Sequence, residues 1–501
     1  MRTERLKSSF LIFVKSSPLA ISIILIVAMA LILRLYRIGF CEFWYDEIFS
    51  MKIAQFPWNS WNPPLYFILL HFWIKLFGNS EVAVRMLSMI FSVLSVPCLF
   101  FLGKKIFNFR VGLIAALIMS ISPFHIWYAQ EARPYSLGLF LSILSTYLLY
   151  LALIVKKRVF WLAFVICSIL GIYSNLNYYH FFLLLGQLVF MAIFFKNNLS
   201  GRIIYFLLIL ISILPRLPEF IEKLVYVKGG FWIEPVRIIS LLITAENFNL
   251  GYNVPFIAYF LSDILVFMLI CSSIILVKRM HIFVRGFIMQ IILFILPIVA
   301  IWLTSKIFIP IYLDRGLIIF SPYYYLILAL GFEGLSKARW RVPFIIFFIA
   351  LIILSIVGYY QNWLPTPTKH HVGVHLKKPV KPMIKFIEIN FEPGDAIIHT
   401  HSSSQETVKY YCQNKITQHF IFAPGEIDGS WGRPYNSSYG ISVKDIDSLK
   451  ANRLWVISGA WERDGTMDGN SLSVKQVLDS KYRLDFSKEF NGLWLFRYIK
   501  N

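Results

Sequence analysis

Two short stretches of this 501-residue chain concentrate side chains that can move a proton or hold an anion. In FWYDEIFS, Phe43–Ser50, the adjacent carboxylates Asp46 and Glu47 lie among Phe43, Trp44, Tyr45 and Phe49. Two like charges in a partly dry aromatic setting push their pKa values apart, which leaves one ready to take a proton near neutral pH. A solvated pair that merely ends a loop is the plainer alternative. In SPFHIWYAQEARPYSL, Ser122–Leu137, a single polar turn supplies His125, Gln130, Glu131, Arg133 and Tyr135. Arg133 either pairs with its neighbour Glu131 or offers its planar fork to a phosphate, with Glu131 orienting it or binding a metal or a sugar hydroxyl. Arg315, in IYLDRGLIIFSP, is either a snorkelling end residue or a second guanidinium that would close with Arg133 on a pyrophosphate or phosphodiester. Arg85, in EVAVRMLS, is a further cation of the same kind. His180, which opens HFFLLLGQLVF, is a residue type that packs or anchors at an interface more often than it ligates. Three histidines in the 370–375 stretch have no spacing that fixes a metal geometry, and no role is assigned to them.

The elements that must position these residues are membrane helices. Hydrophobic residues make up 58% of the chain and charged ones 15%, the balance of a polytopic membrane protein rather than a soluble enzyme. The net charge of +21 is uneven, because residues 1–375 hold 31 Lys+Arg against 13 Asp+Glu and residues 376–501 hold 17 against 14. Basic residues fall in short clusters between apolar runs, the pattern of topology signals and anionic headgroups and not of a nucleic-acid surface. A crossing needs about 20 apolar residues. Eleven runs meet that description, near 18–37, 82–103, 111–127, 136–155, 159–175, 179–195, 203–217, 254–277, 286–305, 316–335 and 342–360. The shorter run Pro63–Gly78, interrupted by His71 and Lys75, reads as an interfacial or re-entrant helix. With the N-terminus cytoplasmic, that choice puts five basic clusters inside, from Lys104/Lys105/Arg110 to Lys337/Arg339/Arg341. It places Asp46, Glu47, the 126–135 loop, the 216–253 loop, Arg315 and the C-terminal part outside.

After Tyr360 a Pro/His/Lys-rich linker, 361–380, leads into short β-rich runs (AIIHT, QHFIF, RLWVISGA, GLWLFRYI) and helices near 381–390 and 404–412. The expected organisation is a membrane domain over 1–360, the linker, and a soluble external α/β domain over 381–501. The five cysteines show no paired spacing, so no disulfide scaffold or zinc ribbon is expected. No glycine-rich phosphate loop with Lys-Ser/Thr, no H-E-x-x-H and no G-x-S-x-G with partners is present, which removes support for ATP-driven chemistry, zinc proteolysis and serine hydrolysis.

The series FWYDEIFS, NPPLYFILLHFWIKLFGNSEVAVRMLSMIFSVLSVPCLFFLGKKIF, SPFHIWYAQEARPYSL and NYYHFFLLLGQLVF resembles bacterial glycosyltransferase family 39-like membrane proteins. These are relatives of the protein O-mannosyltransferases and of the lipid A aminoarabinose transferase. The resemblance is close over Ile38–Phe195 and looser beyond. It implies a GT-C type helix bundle, a first external loop with the catalytic acid, and a polyprenyl-phosphate sugar donor entering from the bilayer. It makes Asp46 and Glu47 the catalytic pair. Tyr45, Arg85, Gln130, Glu131, Arg133, Tyr135, His180 and Arg315 are the candidate donor- or acceptor-binding residues. The large external inserts of the eukaryotic protein mannosyltransferases have no counterpart here, so a lipid or glycan acceptor stands beside a protein one.

The expected function is therefore sugar transfer on the outer face of the cell membrane, by inverting displacement with an aspartate base. The acids and guanidinium groups are expected to meet in one cavity. A divalent metal is a possible cofactor, its identity unknown. The rival class is a transporter or flippase that moves a polyprenyl-linked glycan without bond chemistry. Transporters place ionisable groups at the midplane in matched repeats, whereas here they gather at one interface and no duplication is seen.

Overall fold

The computed structural model of the chain describes residues 18–500 apart from 61, 175–177, 197–198, 229–232, 234, 365–368, 372–373, 375–376, 378–379, 413–415, 429–432, 435–439, 460–466, 468 and 491–492. Of the linker histidines, His375 lies outside the described residues, and His370 and His371 are buried in a short 3-10 turn. The chain divides into two compact units, one of Met1–Ile38, Phe56–Lys223 and Pro235–Pro365, the other of Gly39–Gln55, Leu224–Glu234 and Thr366–Asn501.

In chain order the helices begin with α1 (Pro18–Leu35), α2 (Tyr45–Gln55), α3 (Leu65–Phe77), α4 (Glu81–Ile106), α5 (Phe109–Ile121), α6 (Pro123–Ala129), α7 (Tyr135–Val155), α8 (Arg158–Ile172) and α9 (His180–Phe194). They continue with α10 (Leu199–Ile211), α11 (Leu217–Lys228), α12 (Ile239–Leu250), α13 (Phe256–Arg279), α14 (Val284–Ile307), α15 (Asp314–Leu317), α16 (Ser321–Gly334) and α17 (Arg341–Tyr360). Three more follow, α18 (Lys381–Asn390), α19 (Ser402–Tyr411) and α20 (Gly469–Lys481).

The chain is a multi-pass membrane protein. Among the described residues seven helical stretches are long and apolar enough to cross a bilayer, and α5 with α6, bent by 59°, makes an eighth if the pair is one span. Each of the eleven segments expected from the sequence falls on a helix. Three of them, represented by Ile21–Leu35, Arg158–Ile172 and His180–Phe194, are shorter than a span by length alone, as is α3.

Local chemistry sets the breaks. Ser80 caps α4 by accepting from Ala83 N at 3.3 Å, and Asn108 caps α5 by accepting from Val111 N at 2.8 Å. Ser122 caps α6 with Pro123 in the first helical position, so the chain restarts a helix at an angle to α5 instead of extending it. Small residues let α4 and α5 approach, since a Cβ on Gly112 would sit 2.6 Å from the Phe100 carbonyl oxygen. The first span also ends on a buried cation. Arg34 donates from Nε to Ser92 Oγ at 2.8 Å and from its terminal nitrogens to the carbonyls of Ala30, Met119 and Ser120, at 3.2, 3.0 and 2.8 Å. Removing any one of those carbonyls from reach would leave guanidinium N–H groups buried without acceptors, so this arginine ties α1 to α4 and α5.

In the second unit the strands β1 (Asp395–His399), β2 (Gln418–Phe422), β3 (Ile427–Asp428), β4 (Arg433–Pro434), β5 (Ile441–Ser442), β6 (Arg453–Gly459), β7 (Tyr482–Phe490) and β8 (Leu493–Lys500) include a six-stranded sheet in the order β5-β2-β1-β6-β8-β7. The β5, β2, β1 and β6 strands pair in parallel and β8 and β7 add on antiparallel. Both faces are covered, as a parallel sheet requires. Met383, Ile384 and Ile387 of α18 and Val408 of α19 pack with Ile397, Trp455 and Ile457 on one face. On the other, Val474 and Leu478 of α20 pack with Ile398, Val456 and Phe496. The turn EPGD opens β1 with Gly394 at φ +95°, a conformation that favours glycine. Asp395 then accepts from Arg453 through both oxygens at 2.8 Å and from Trp455 Nε1 at 2.8 Å. Burial alone would raise this carboxyl, but those donors hold it below the usual carboxylate value.

Candidate functional site

In the first unit the site is built on the turn between α6 and α7. All of His125, Gln130, Glu131, Arg133 and Tyr135 are buried there. The turn tightens through an Arg133 N–H to Glu131 carbonyl bond of 2.8 Å, and Glu131 Oε1 accepts from Trp127 Nε1 at 2.8 Å. Its backbone is held from outside by Ser88 Oγ, which donates to the Arg133 carbonyl at 3.0 Å and pairs with Tyr66 OH at 2.8 Å. Tyr66 belongs to the PPLY helix α3, so that short apolar helix braces the arginine turn through one serine of α4. Gln130 is spent on structure: its Nε2 donates to the carbonyls of Arg34 and Tyr36 at 2.8 Å each, and its Oε1 accepts from Tyr359 OH at 2.8 Å. His125 pairs through Nε2 with Ser321 Oγ at 2.9 Å.

Arg315 comes to the same place from the far end of the unit. Its guanidinium carbon lies 5.9 Å from the centre of the Tyr135 ring, and that of Arg133 lies 5.9 Å from the same centre. Two like charges share one aromatic ring, an arrangement that an intervening anion stabilises. Lys223, stacked 5.7 Å from the Tyr178 ring, is close enough to Arg133 for their positive charges to repel. Arg315 sits in the four-residue helix α15, too short to hold itself. Its neighbour Asp314 supplies the anchor by accepting from Thr244 Oγ1 at 2.5 Å and from Asn247 Nδ2 at 2.6 Å, both on α12. From the other side Tyr179 OH accepts the Leu313 N–H at 3.2 Å and donates to the Ile311 carbonyl. The Tyr179 ring fills the space where a Cβ on Gly316 would lie 2.3 Å away.

Arg85 and His180 are both buried in the first unit. Arg85 is buried and donates Nη1 to the Ile38 carbonyl at 2.8 Å. His180 is fully buried against Gly171, where an added Cβ would lie 2.3 Å from the imidazole, and among the described residues neither ring nitrogen has a hydrogen-bond partner. That is the environment of a space-filling ring.

Tyr45, Asp46 and Glu47 belong to the second unit, in the first turn of α2, where carboxylates favour the helix N-terminus. The pair is unequal. Glu47 is completely buried, accepts from Trp44 N at 3.4 Å and forms an ion pair with Lys377 Nζ at 3.7 Å. Asp46 is half-buried, its carbonyl taking the Ser50 hydroxyl at 3.0 Å, and Tyr45 stacks on Phe49 with ring centres 6.2 Å apart. Glu47 is thus the fully buried member with a lysine partner, and Asp46 the member left partly exposed. Among the described residues no three His, Cys, Asp or Glu side chains converge.

Sequence reasoning missed Arg34, Thr244, Asn247, Asp314, Tyr179 and Lys223. For Asp314, the signal was its position beside Arg315; for Thr244 and Asn247, the polar run TAENFNLGYN inside an apolar loop.

Residues 61–221 match the family model described as dolichyl-phosphate-mannose-protein mannosyltransferase. That match begins after Asp46 and Glu47 and includes Arg85, Gln130, Glu131, Arg133, Tyr135 and His180. ArnT from Cupriavidus metallidurans in the apo state shares the fold, with a TM-score of 0.64 at 12% identity over 96% of this chain and 98% of that one. The same protein bound to undecaprenyl phosphate gives 0.61 at 13% identity over 95% and 97%. The Archaeoglobus fulgidus oligosaccharyltransferase in complex with Zn and sulfate gives 0.53 at 13% identity over 96% and 73%. No curated protein matches the chain in sequence. The resemblance read from the motifs is borne out, and the fold is that of the GT-C glycosyltransferases.

Proposed function

We propose that this protein is a glycosyltransferase that moves a sugar from a polyprenyl-phosphate donor to an acceptor hydroxyl on the outer face of the membrane. The observation that carries this reading is the buried pair Arg133 and Arg315 on one Tyr135 ring, a charge arrangement suited to a phosphate diester. The match to a family named for dolichyl-phosphate-mannose, and the undecaprenyl phosphate in a structure of the same fold, agree with that ligand class.

The chemistry follows from the groups present. The acceptor oxygen attacks the anomeric carbon while its proton passes to Asp46, and the bond from that carbon to the phosphate oxygen breaks. The electron pair leaves with the lipid phosphate, whose growing charge Arg133 and Arg315 neutralise. A single displacement inverts the anomeric centre. Glu47, paired with Lys377, fixes the helix that presents Asp46 and does not itself take the proton. The donor carries its own leaving group, so no nucleotide pocket is needed. In this reading the N-terminus is cytoplasmic and the C-terminal domain is external.

The test is incubation of the purified protein with a panel of radiolabelled undecaprenyl-phosphate sugars and candidate lipid, glycan and peptide acceptors. Label leaving the polyprenyl lipid for one acceptor, with inverted anomeric configuration, supports the reading. Labelled lipid crossing vesicles intact, with no transfer product, would replace it with a flippase.

A further inference from the structure

The segment Gly39–Gln55 leaves the first unit at Ile38, rejoins it at Phe56, and in between is part of the second. Its contacts there are specific. Glu42 accepts two backbone N–H groups at the start of α18, those of Val380 and Lys381, the latter at 2.8 Å. Phe43 N–H donates to Tyr411 OH at 2.7 Å, and the Phe43 ring meets Tyr410 edge-on with centres 5.7 Å apart. Lys381 Nζ lies 4.8 Å from the Tyr411 ring, completing a small cluster of Glu42, Tyr411 and Lys381. On α2 itself Glu47 pairs with Lys377, and Lys52 pairs with Glu406 of α19. Phe43 and Trp44 face Val380, Ser404, Thr407, Val408 and Leu493 across a gap of about 10 Å³, room for at most one water. The gap is a packed seam and not a ligand pocket.

We propose that the C-terminal α/β domain is a positioning element for catalysis, holding the helix that carries Asp46 through Glu42, Tyr411 and the Lys52–Glu406 pair. This rests on the reading of Asp46 as the base. The physical argument is one of degrees of freedom. An eleven-residue helix such as α2 is too short to hold itself in water, and a base must be held within a fraction of an ångström of its target. Glu42 satisfies two orphan donors at the start of α18, so the same carboxylate that steadies the domain's helix fixes the approach to α2.

The test compares the full-length protein with Glu42→Gln/Tyr411→Phe and with Lys52→Glu, with and without Glu406→Lys. Hydrogen exchange over residues 45–55 is read without substrate, and kcat and KM for the lipid-phosphate sugar are read alongside. The expected result for Glu42→Gln/Tyr411→Phe is exchange faster by about tenfold or more and kcat lower by up to about 10²-fold, with KM for the donor within about twofold. Adding Glu406→Lys to Lys52→Glu restores both readings toward the parent. Unchanged exchange in Glu42→Gln/Tyr411→Phe, or faster exchange with kcat intact, would overturn the proposal, as would a charge-swapped pair no better than Lys52→Glu alone. The exchange reading stands whatever Asp46→Asn does to turnover, so failure of the base assignment is separable from failure of the docking.

Discussion

Arg133 and Arg315 place their guanidinium carbons at the same 5.9 Å from the centre of the Tyr135 ring, although one lies between α6 and α7 and the other in α15. Neither turn would hold that geometry alone. Ser88 and Tyr66 brace the first, and Asp314 with Thr244, Asn247 and Tyr179 braces the second.

If the pair binds the donor phosphate, Arg133→Gln and Arg315→Gln each remove a charge-assisted bond of about 1.5–3 kcal/mol, and kcat/KM falls roughly 10- to 100-fold. Lysine at either position restores charge without the planar fork and recovers only part of the loss. Steady-state kinetics with the preferred donor check this.

Asp314 acts through Arg315. Asp314→Asn and Asn247→Ala each weaken the α12 anchor, and kcat/KM falls by roughly tenfold. In a double-mutant cycle Asp314→Asn adds almost nothing once Arg315→Gln is present, because the anchor then has no guanidinium left to position. Additive losses would separate the two residues.

His399 gives the C-terminal sheet domain an acid limit. Its Nε2 pairs with Gln418 Oε1 at 2.9 Å and its Nδ1 with Ser404 Oγ at 3.2 Å, and burial holds the imidazole down to about 3. An unfolded histidine titrates near about 6.5. Between the two values only the unfolded chain binds the proton. Stability is therefore full above about 6.5 and falls by up to about 1.4 kcal/mol per pH unit as the pH drops toward the lower value. His399→Gln flattens this limb. Hydrogen exchange of β1 and β2 in the intact protein, measured from neutral to acid pH, reads it.

The elements visible in the sequence are those whose burial is periodic or continuous. Every apolar run expected to cross the membrane is helical, and AIIHT, QHFIF, RLWVISGA and GLWLFRYI coincide with β1, β2, β6 and β8. The edge strand β7 was missed although Tyr482, Leu484, Phe486 and Phe490 recur at even spacing, because Arg483, Asp485, Lys488 and Glu489 between them make the segment polar on average. In the site, Arg133 and Tyr135 share one short motif and were legible together. The Thr244–Asp314 bond was not, since a contact across that separation leaves no spacing in the chain. Arg34 went unread at the end of its apolar run, and only its carbonyl partners on α5 make it a structural cation. Likewise nothing in the residues around Glu42 announces that it caps a helix more than three hundred residues away.

The most direct measurement is the turnover of Asp46→Asn with a lipid-phosphate sugar donor at neutral pH. The substitution keeps the size of the side chain and removes its ability to take a proton. A base supplies about 10²- to 10⁴-fold, so kcat falls by that factor while donor binding holds, and Asp46→Glu recovers part of it. Full turnover in Asp46→Asn would contradict the assignment of the base.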